Sequence, residues 1–278
     1  MEILERTKAL LLKPKEEWEV IEAENASHEK VFFGHLLILA LIPAAALFFH
    51  YWWEWHSKLQ EAIQIFTTIA AEDEAMQENL EDVIAITKVL LPLNAISGII
   101  DAAIEFVIIV AGAYVSAVIL NALSDNFGVQ KDFNRAFTLV AYSYTPLCVA
   151  GLLNIYPPLI PIVPYIGLYG IYLFYIGVKP IINPPVGKAT TCFIMGIAIT
   201  LATCFLIPEI VQPVANDIRN KVETEQVKEK EKKLTELAIE LAKKHGREFD
   251  PKEFQRYWKD IEKELEKELE KQRRKYYY

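Results

Sequence analysis

An uncharged run is the feature that most limits how this chain can fold: 43 consecutive residues between Arg135 and Lys179 contain no Asp, Glu, Lys, Arg or His. The hydrocarbon core of a bilayer is about 30 Å thick, and about 20 apolar residues in a helix cross it. The run is long enough for two crossings, and a proline cluster at residues 156–161 divides it. The sequence therefore predicts two membrane-spanning helices joined by an uncharged hairpin.

The charged residues of the chain are segregated from the apolar ones. Hydrophobic residues make up 53% of the 278 residues and charged residues 24%, a mixture too apolar for an ordinary soluble domain and too charged for membrane throughout. Nearly all charges lie in residues 1–30, 54–88 and 213–278. We therefore expect a cytoplasmic amphipathic leader over residues 1–30, a membrane domain over 31–212 and a charged tail over 213–278.

Five apolar blocks are long enough to cross a bilayer as helices. The blocks are residues 31–53, 93–123, 133–155, 162–182 and 188–211. Aromatic residues close the first block, as is typical of helix ends at the headgroup level, and we expect Pro208 and Pro213 to end the fifth helix. The predicted fold is all-α, a polytopic five-helix transmembrane bundle with a charged helical carboxyl-terminal tail.

Lysine and arginine in the short loops predict the orientation of the bundle. Most of these residues fall on one side when the amino terminus is cytoplasmic, and five crossings then place the carboxyl terminus on the opposite side. The tail disagrees with this placement, since it carries eighteen Lys and Arg beside sixteen acids, but long translocated segments weigh little in the rule. In a prokaryotic source the membrane would be the cell membrane.

The tail has the pattern of a charged helical hairpin with an apolar stripe. In its second half, large apolar residues recur at steps of three and four, the spacing of one helix face. The stripe residues are Phe254, Trp258, Ile261, Leu265 and Leu269. Such a stripe favours packing against the membrane domain, the other tail helix or another subunit; the alternative is a solvated helix held by Glu and Lys pairs.

Asp101 and Glu105 are the most informative polar residues of the apolar blocks. They lie four residues apart, on one helix face, and a carboxylate at membrane depth is costly unless it is paired, hydrated or protonated. We expect a cation or proton site, or a contact with a lipid headgroup. The alternative is a helix that begins near Gly98, with Asp101 at the interface and Glu105 in water. Candidate partners in other blocks are His35, Arg135, Tyr142 and Tyr144.

Small and aromatic residues alternate in the fourth block. Gly167, Gly170 and Gly177 permit close approach of a neighbouring helix. Beside them runs a tyrosine series, Tyr165, Tyr169, Tyr172 and Tyr175. We expect helix packing and interfacial anchoring here, with a ligand cage as the alternative.

The sequence excludes several classes of function. A net charge of −8 argues against a nucleic-acid partner, which needs a basic face. The three cysteines and the histidines lack the paired spacing of a metal site. We find no phosphate-binding glycine loop and no nucleophile with its base. The chain is expected to be no enzyme and to hold no cofactor or metal.

Short motifs form an ordered series over residues 8–211. They are Pro14-Lys-Glu-Glu-Trp18 with Val20-Ile21, then Phe137, Ala141-Tyr142 and Pro146, then Ile171-Tyr172-Leu173-Phe174-Tyr175-Ile176-Gly177, and last Lys188-Ala189. In this order and spacing the series resembles prokaryotic members of the Yip family of membrane proteins. The resemblance implies a five-helix bundle with a cytoplasmic amino terminus.

Eukaryotic members of that family bind Rab-type GTPases and help organise or bend secretory membranes. This sequence lacks their Asp-Leu-Tyr-Gly-Pro signature, so the GTPase partner is not carried over, and its long charged tail departs from the usual short ending. Two hypotheses of function follow. The first is a non-enzymatic protein that scaffolds or organises the bilayer through self-association, as a homo-oligomer, or through a membrane-protein partner. The alternative is a transporter, channel or lipid-translocating protein that uses Asp101 and Glu105.

Overall fold

The computed structural model describes residues 3–72, 80–90 and 93–244, and within these ranges the chain forms helices and turns but no strands. Two short helices precede the membrane helices, and several of the longer ones are joined through single 3₁₀ or π turns. In chain order the α-helices are Ile3–Leu12 (α1), Pro14–Glu24 (α2), His28–Val31 (α3), Leu37–Glu72 (α4), Leu80–Leu90 (α5), Leu93–Ala122 (α6), Phe133–Ser143 (α7), Thr145–Ala150 (α8), Val163–Gly167 (α9), Tyr169–Gly177 (α10) and Ala189–Lys244 (α11).

Five helical segments in the described part of the chain are long and apolar enough to cross a membrane. We number them in chain order as the first to fifth membrane helices: His28–Thr68, Gly98–Ala122, Phe133–Ile155, Pro158–Ile182 and Ala189–Leu241. The predicted all-α polytopic bundle is confirmed, and each segment overlaps one predicted block.

The predicted end of the fifth helix is wrong. Helix α11 continues through Pro208 and Pro213 to Lys244. A proline removes one backbone hydrogen bond, but in membrane helices neighbouring groups can absorb that loss. Beyond Pro213 the sequence is rich in Lys and Glu, which favour helix, and pairs such as Glu229 with Lys233, 2.8 Å apart, support it.

The chain divides into two compact units. The first comprises Met1–Glu54 and Asn94–Arg219, and the second comprises Trp55–Leu93 and Asn220–Tyr278. The limits of these units differ from the domain borders at residues 30 and 212 that composition suggested. The leader lies in the first unit with the second, third and fourth membrane helices and with parts of the first and fifth.

The third membrane helix lies at the centre of the first unit. Of its most apolar window, 78% is buried, against 17% to 44% for the other four membrane helices. Phe137 and Leu139 are fully buried, and the leader adds Leu10 and Trp18 to the same core. The leader thus supplies part of the core of this unit.

The three glycines singled out in the fourth block lie at contacts inside the first unit. A Cβ at Gly170 would lie 2.5 Å from the Ser143 carbonyl oxygen, and a Cβ at Gly177 would lie 2.7 Å from both Leu139 and the Trp18 ring. Gly167 packs on Leu147. The glycines therefore bring the fourth helix against the third and leave room for Trp18.

In the second unit, the described segments are residues 55–72, 80–90 and 220–244. Leu59 and Leu234 are buried there, and so are the charged residues Asp82 and Lys230. The predicted tail stripe of Phe254, Trp258, Ile261, Leu265 and Leu269 lies outside the described residues.

The glycine contacts yield a stability prediction. Gly170→Ala or Gly177→Ala places a methyl group into packed atoms, and overpacking of this kind costs about 1–3 kcal/mol. The melting temperature of the purified protein in detergent should fall for both variants. Gly34→Ala is the matched control, because no atom lies within 4 Å of its added Cβ. Equal melting temperatures for all three variants would contradict the packing described.

Candidate intramembrane polar site

An ion pair joins the second and fifth membrane helices. Arg219 Nη2 donates a hydrogen bond to Asp101 Oδ1, and each side chain is 22% exposed. Arg219 Nη1 also donates to Asn216 Oδ1 at 2.7 Å. Asp101 is therefore paired within the protein, and none of the four partners proposed from sequence supplies its charge.

Sequence reasoning missed Arg219. It lies 118 residues from Asp101, so no local spacing connects the two. The available signal was that Arg219 is the first basic residue after Lys188 and follows the fifth apolar block.

A second contact between the same two helices fixes their direction. Ser116 Oγ and Thr203 Oγ1 lie 2.6 Å apart and are buried. Because Ser116 follows Asp101 in the second helix while Thr203 precedes Arg219 in the fifth, the helices are antiparallel. A hydroxyl pair in an apolar interior satisfies groups that hydrocarbon cannot.

Glu105 faces a cavity inside the bundle. The cavity has a volume of about 480 Å³ and is lined by residues of the second, third, fourth and fifth membrane helices. Its walls are mostly apolar, and Tyr144 and Thr200 are among its few polar groups. The structure thus brings together Glu105 and Tyr144, two of the residues predicted to share a site.

Tyr142 belongs to a different environment. Its ring packs against His35, with ring centroids 4.4 Å apart and the ring planes inclined at 51°, and the Arg6 guanidinium lies 5.7 Å from the Tyr142 centroid. His35 Nε2 is 2.8 Å from Thr145 Oγ1. Tyr142, His35 and Arg6 line a separate cavity of about 160 Å³ together with Glu24. Tyr142 and His35 are therefore apart from the Glu105 cavity.

Arg135 lies at a third place. Its Nη1 donates to the Ile181 carbonyl oxygen at 3.2 Å, and its Nε is 3.6 Å from Asp132. Arg135 therefore links the start of the third membrane helix to the end of the fourth. The predicted polar site is divided among separate contacts: one cavity holds Glu105 and Tyr144, and the other holds His35 and Tyr142.

The leader carries a buried ion cluster. Arg6 is 3.1 Å from Glu17 and 2.5 Å from Glu24, and the side chains of Arg6 and Glu17 are each only 6% exposed. Burial raises the pKa of the Glu17 carboxyl above its ordinary value of 4.5, while Arg6 acts in the opposite direction. The penalty of removing the carboxylate from water thus exceeds the attraction of its partner.

Trp18 explains why the leader is docked so closely. Its ring is fully buried and meets Tyr142 edge to face, with centroids 6.1 Å apart. The Tyr169 hydroxyl donates to the Leu11 carbonyl oxygen at 3.1 Å, which ties the fourth membrane helix to the leader. Pro14 stands at the first turn of α2, where its missing N–H costs nothing.

Five apolar helices and a leader packed against them define a multi-pass helical membrane protein, whose membrane helices contact the lipid bilayer. The family described as the Yip1 domain matches residues 8–207. The chain belongs to this family, as the ordered motifs indicated. No curated protein and no solved structure matches the chain.

The ion pair of Asp101 gives a second prediction. Asp101→Asn leaves the guanidinium of Arg219 without its countercharge in a partly buried place, so the free energy of unfolding should fall by about 1–3 kcal/mol, between the values for exposed and buried pairs. Exchanging the two residues, Asp101→Arg with Arg219→Asp, should restore part of the loss.

Asp125→Asn is the control for this experiment. Asp125 pairs with Lys131 at 2.8 Å, but these side chains are 67% and 51% exposed, so the change should cost less than about 1 kcal/mol. Equal losses of stability for Asp101→Asn and Asp125→Asn in thermal unfolding would show that the intramembrane pair contributes no more than the exposed one.

The raised pKa of Glu17 predicts how leader docking depends on pH. A carboxyl whose pKa is raised by folding stabilises the folded state below its ordinary pKa, and this contribution is lost as pH rises through the folded value. Amide-exchange protection of residues 3–24 should therefore fall with rising pH in the wild type relative to Glu17→Gln. A constant difference between the two proteins would contradict the burial of a titrating Glu17.

Proposed function

We propose that this Yip-family protein organises the bilayer as a non-enzymatic scaffold, by self-association or by binding a membrane-protein partner. The Yip1 family is not known as an enzyme family. In the proposed orientation the amino terminus is cytoplasmic and the tail lies on the opposite side, in the cell membrane if the source is prokaryotic. Residues 1–30, 31–212 and 213–278 are proposed as leader, membrane domain and tail.

The observation that carries the proposal is a row of exposed tyrosines on the fourth membrane helix. Tyr165 is 73% exposed, Tyr172 43% and Tyr175 59%, and their spacing of seven and three residues places them along one face. Hydrocarbon offers no hydrogen-bond partner to a phenolic hydroxyl. A second copy or a partner helix would cover these rings and supply partners for their hydroxyls.

The neighbouring glycines indicate which face of the fourth membrane helix is available for association. Gly167, Gly170 and Gly177 are already used for contacts inside the first unit, so a close glycine-mediated contact with another molecule would need a different face. Tyr169 donates its hydroxyl within the protein, in contrast to the three exposed tyrosines. The tyrosine face is therefore the proposed surface for association.

Self-association can be measured in nanodiscs or dilute liposomes by single-molecule photobleaching. Tyr172→Phe with Tyr175→Phe removes two hydroxyls and keeps the rings, and the oligomeric fraction should fall several-fold, since each interhelical hydrogen bond contributes about 1 kcal/mol. Phe205→Leu is the control, because Phe205 is 74% exposed on the fifth helix and has no hydroxyl. A strictly monomeric protein with no co-purifying partner would contradict the proposal.

One observation favours the alternative of a transporter, channel or lipid-translocating protein: Glu105 faces a large cavity at membrane depth. The pairing of Asp101 with Arg219 opposes a shared role of the two acids. Flux of ions or labelled lipid through liposomes distinguishes the hypotheses. Flux that disappears in Glu105→Gln would favour the transporter, whereas absent or unchanged flux would exclude it.

A further inference from the structure

The cavity beside Glu105 has the size and position of a site for a membrane-borne ligand. Its volume of about 480 Å³ falls within the range of small-molecule pockets, roughly 300–1,000 Å³. Among its lining residues, Leu168, Leu201 and Phe205 are exposed, and they belong to the fourth and fifth membrane helices. A ligand that passes between these residues enters from the bilayer.

The polar atoms of the cavity differ in what they can still bind. The Thr200 hydroxyl donates its hydrogen to the Gly196 carbonyl oxygen at 2.9 Å, and the Ser143 hydroxyl donates to the Leu139 carbonyl oxygen at 2.7 Å. Both hydroxyl oxygens keep free lone pairs, and an ionised Glu105 only accepts. Beside the Tyr144 hydroxyl, which lies 4.0 Å from Cys204 Sγ, the cavity therefore offers acceptors on Thr200, Ser143 and Glu105 to a ligand that donates hydrogen bonds.

The Glu105 carboxylate and the apolar walls of the cavity limit the class of ligand further. A carboxylate in an apolar cavity is unfavourable without a partner, and Glu105 has no hydrogen bond or ion pair with another residue in the described part of the chain. An ammonium group supplies several donors and the opposite charge, while a headgroup that presents only a carboxylate or phosphate to Glu105 would be repelled. The apolar walls require a hydrocarbon chain behind that headgroup.

We propose that this cavity binds an amphiphile with a primary amine headgroup and a long apolar chain, with the amine against Glu105 and the chain along the apolar wall. The amine could be carried by a free long-chain amine or by an aminophospholipid of the bilayer. This role is separate from self-association through the tyrosine face, and it does not depend on that proposal.

The test uses the full-length protein in phosphatidylcholine nanodiscs with a photoactivatable, clickable long-chain primary amine. The matching long-chain alcohol and carboxylic acid serve as comparison probes. Crosslinked peptides should come from the cavity segments around Glu105 and Thr200, and the amine should label them most. Glu105→Gln should reduce amine labelling about tenfold or more, the effect of losing a charge-assisted hydrogen bond, with little change for the alcohol.

Matched variants separate binding from folding. Glu209→Gln removes an exposed acid of the fifth membrane helix and should leave amine labelling unchanged. Thr200→Phe fills the cavity and should abolish labelling by all three probes, while Leu206→Phe, at a residue 59% exposed and outside the cavity lining, should not. Amine labelling that resists both Glu105→Gln and Thr200→Phe overturns the proposal, as does equal labelling by amine and carboxylic acid.

Replacing part of the phosphatidylcholine by phosphatidylethanolamine distinguishes the two sources. If phosphatidylethanolamine reduces labelling by the amine probe, an aminophospholipid is the occupant, because its headgroup ammonium has hydrogen-bond donors and that of phosphatidylcholine has none. Labelling that persists identifies a free single-chain amine. Both results support the amine site.

Discussion

Hydrocarbon cannot hydrogen-bond or solvate charge, and the architecture of this protein follows from that constraint. The backbone satisfies it by remaining helical along the membrane-spanning segments, even through Pro208 and Pro213. The polar side chains satisfy it by pairing across helices that are distant in sequence, as Asp101 does with Arg219. Ser116 and Thr203 join the same two helices through an uncharged hydrogen bond. Polar contacts of this kind and the close glycine contacts of the fourth helix together select which helices are neighbours, since other apolar packing distinguishes poorly between lipid and another helix.

The same constraint acts on the polar groups of the leader. An ion cluster around Arg6 and the ring of Trp18 are both buried among the membrane helices, so a segment with the composition of a surface helix is part of the core. The family match begins at residue 8, inside this leader. The contacts of Trp18 with Tyr142 and Gly177 give a physical reason for including it, because they join the leader to the third and fourth membrane helices.

The sequence was sufficient for the number and approximate extent of the membrane helices, since hydrophobic length is set by bilayer thickness. It also placed Asp101 and Glu105 on one helix face, because helical periodicity is local. It could not predict Arg219 as a partner, because only tertiary packing decides which distant residues meet. Helical periodicity does place Tyr142 and Tyr144, two residues apart, on different faces, but it does not say what each face contacts. The ends of helices were predicted least well from the sequence. Pro213 is a strong local signal for a helix end, but the helix-favouring Lys and Glu that follow it continue α11.

The contact between Tyr169 and Leu11 spans 158 residues of sequence, and this separation has a consequence for biosynthesis. During translation the leader emerges first, but the helix that receives Trp18 is made only after most of the membrane domain. At about 5–20 residues per second, the leader waits on the order of ten seconds with its apolar face uncovered. During that interval it can bind the membrane surface or a chaperone, and its docking must wait for the synthesis of the fourth membrane helix.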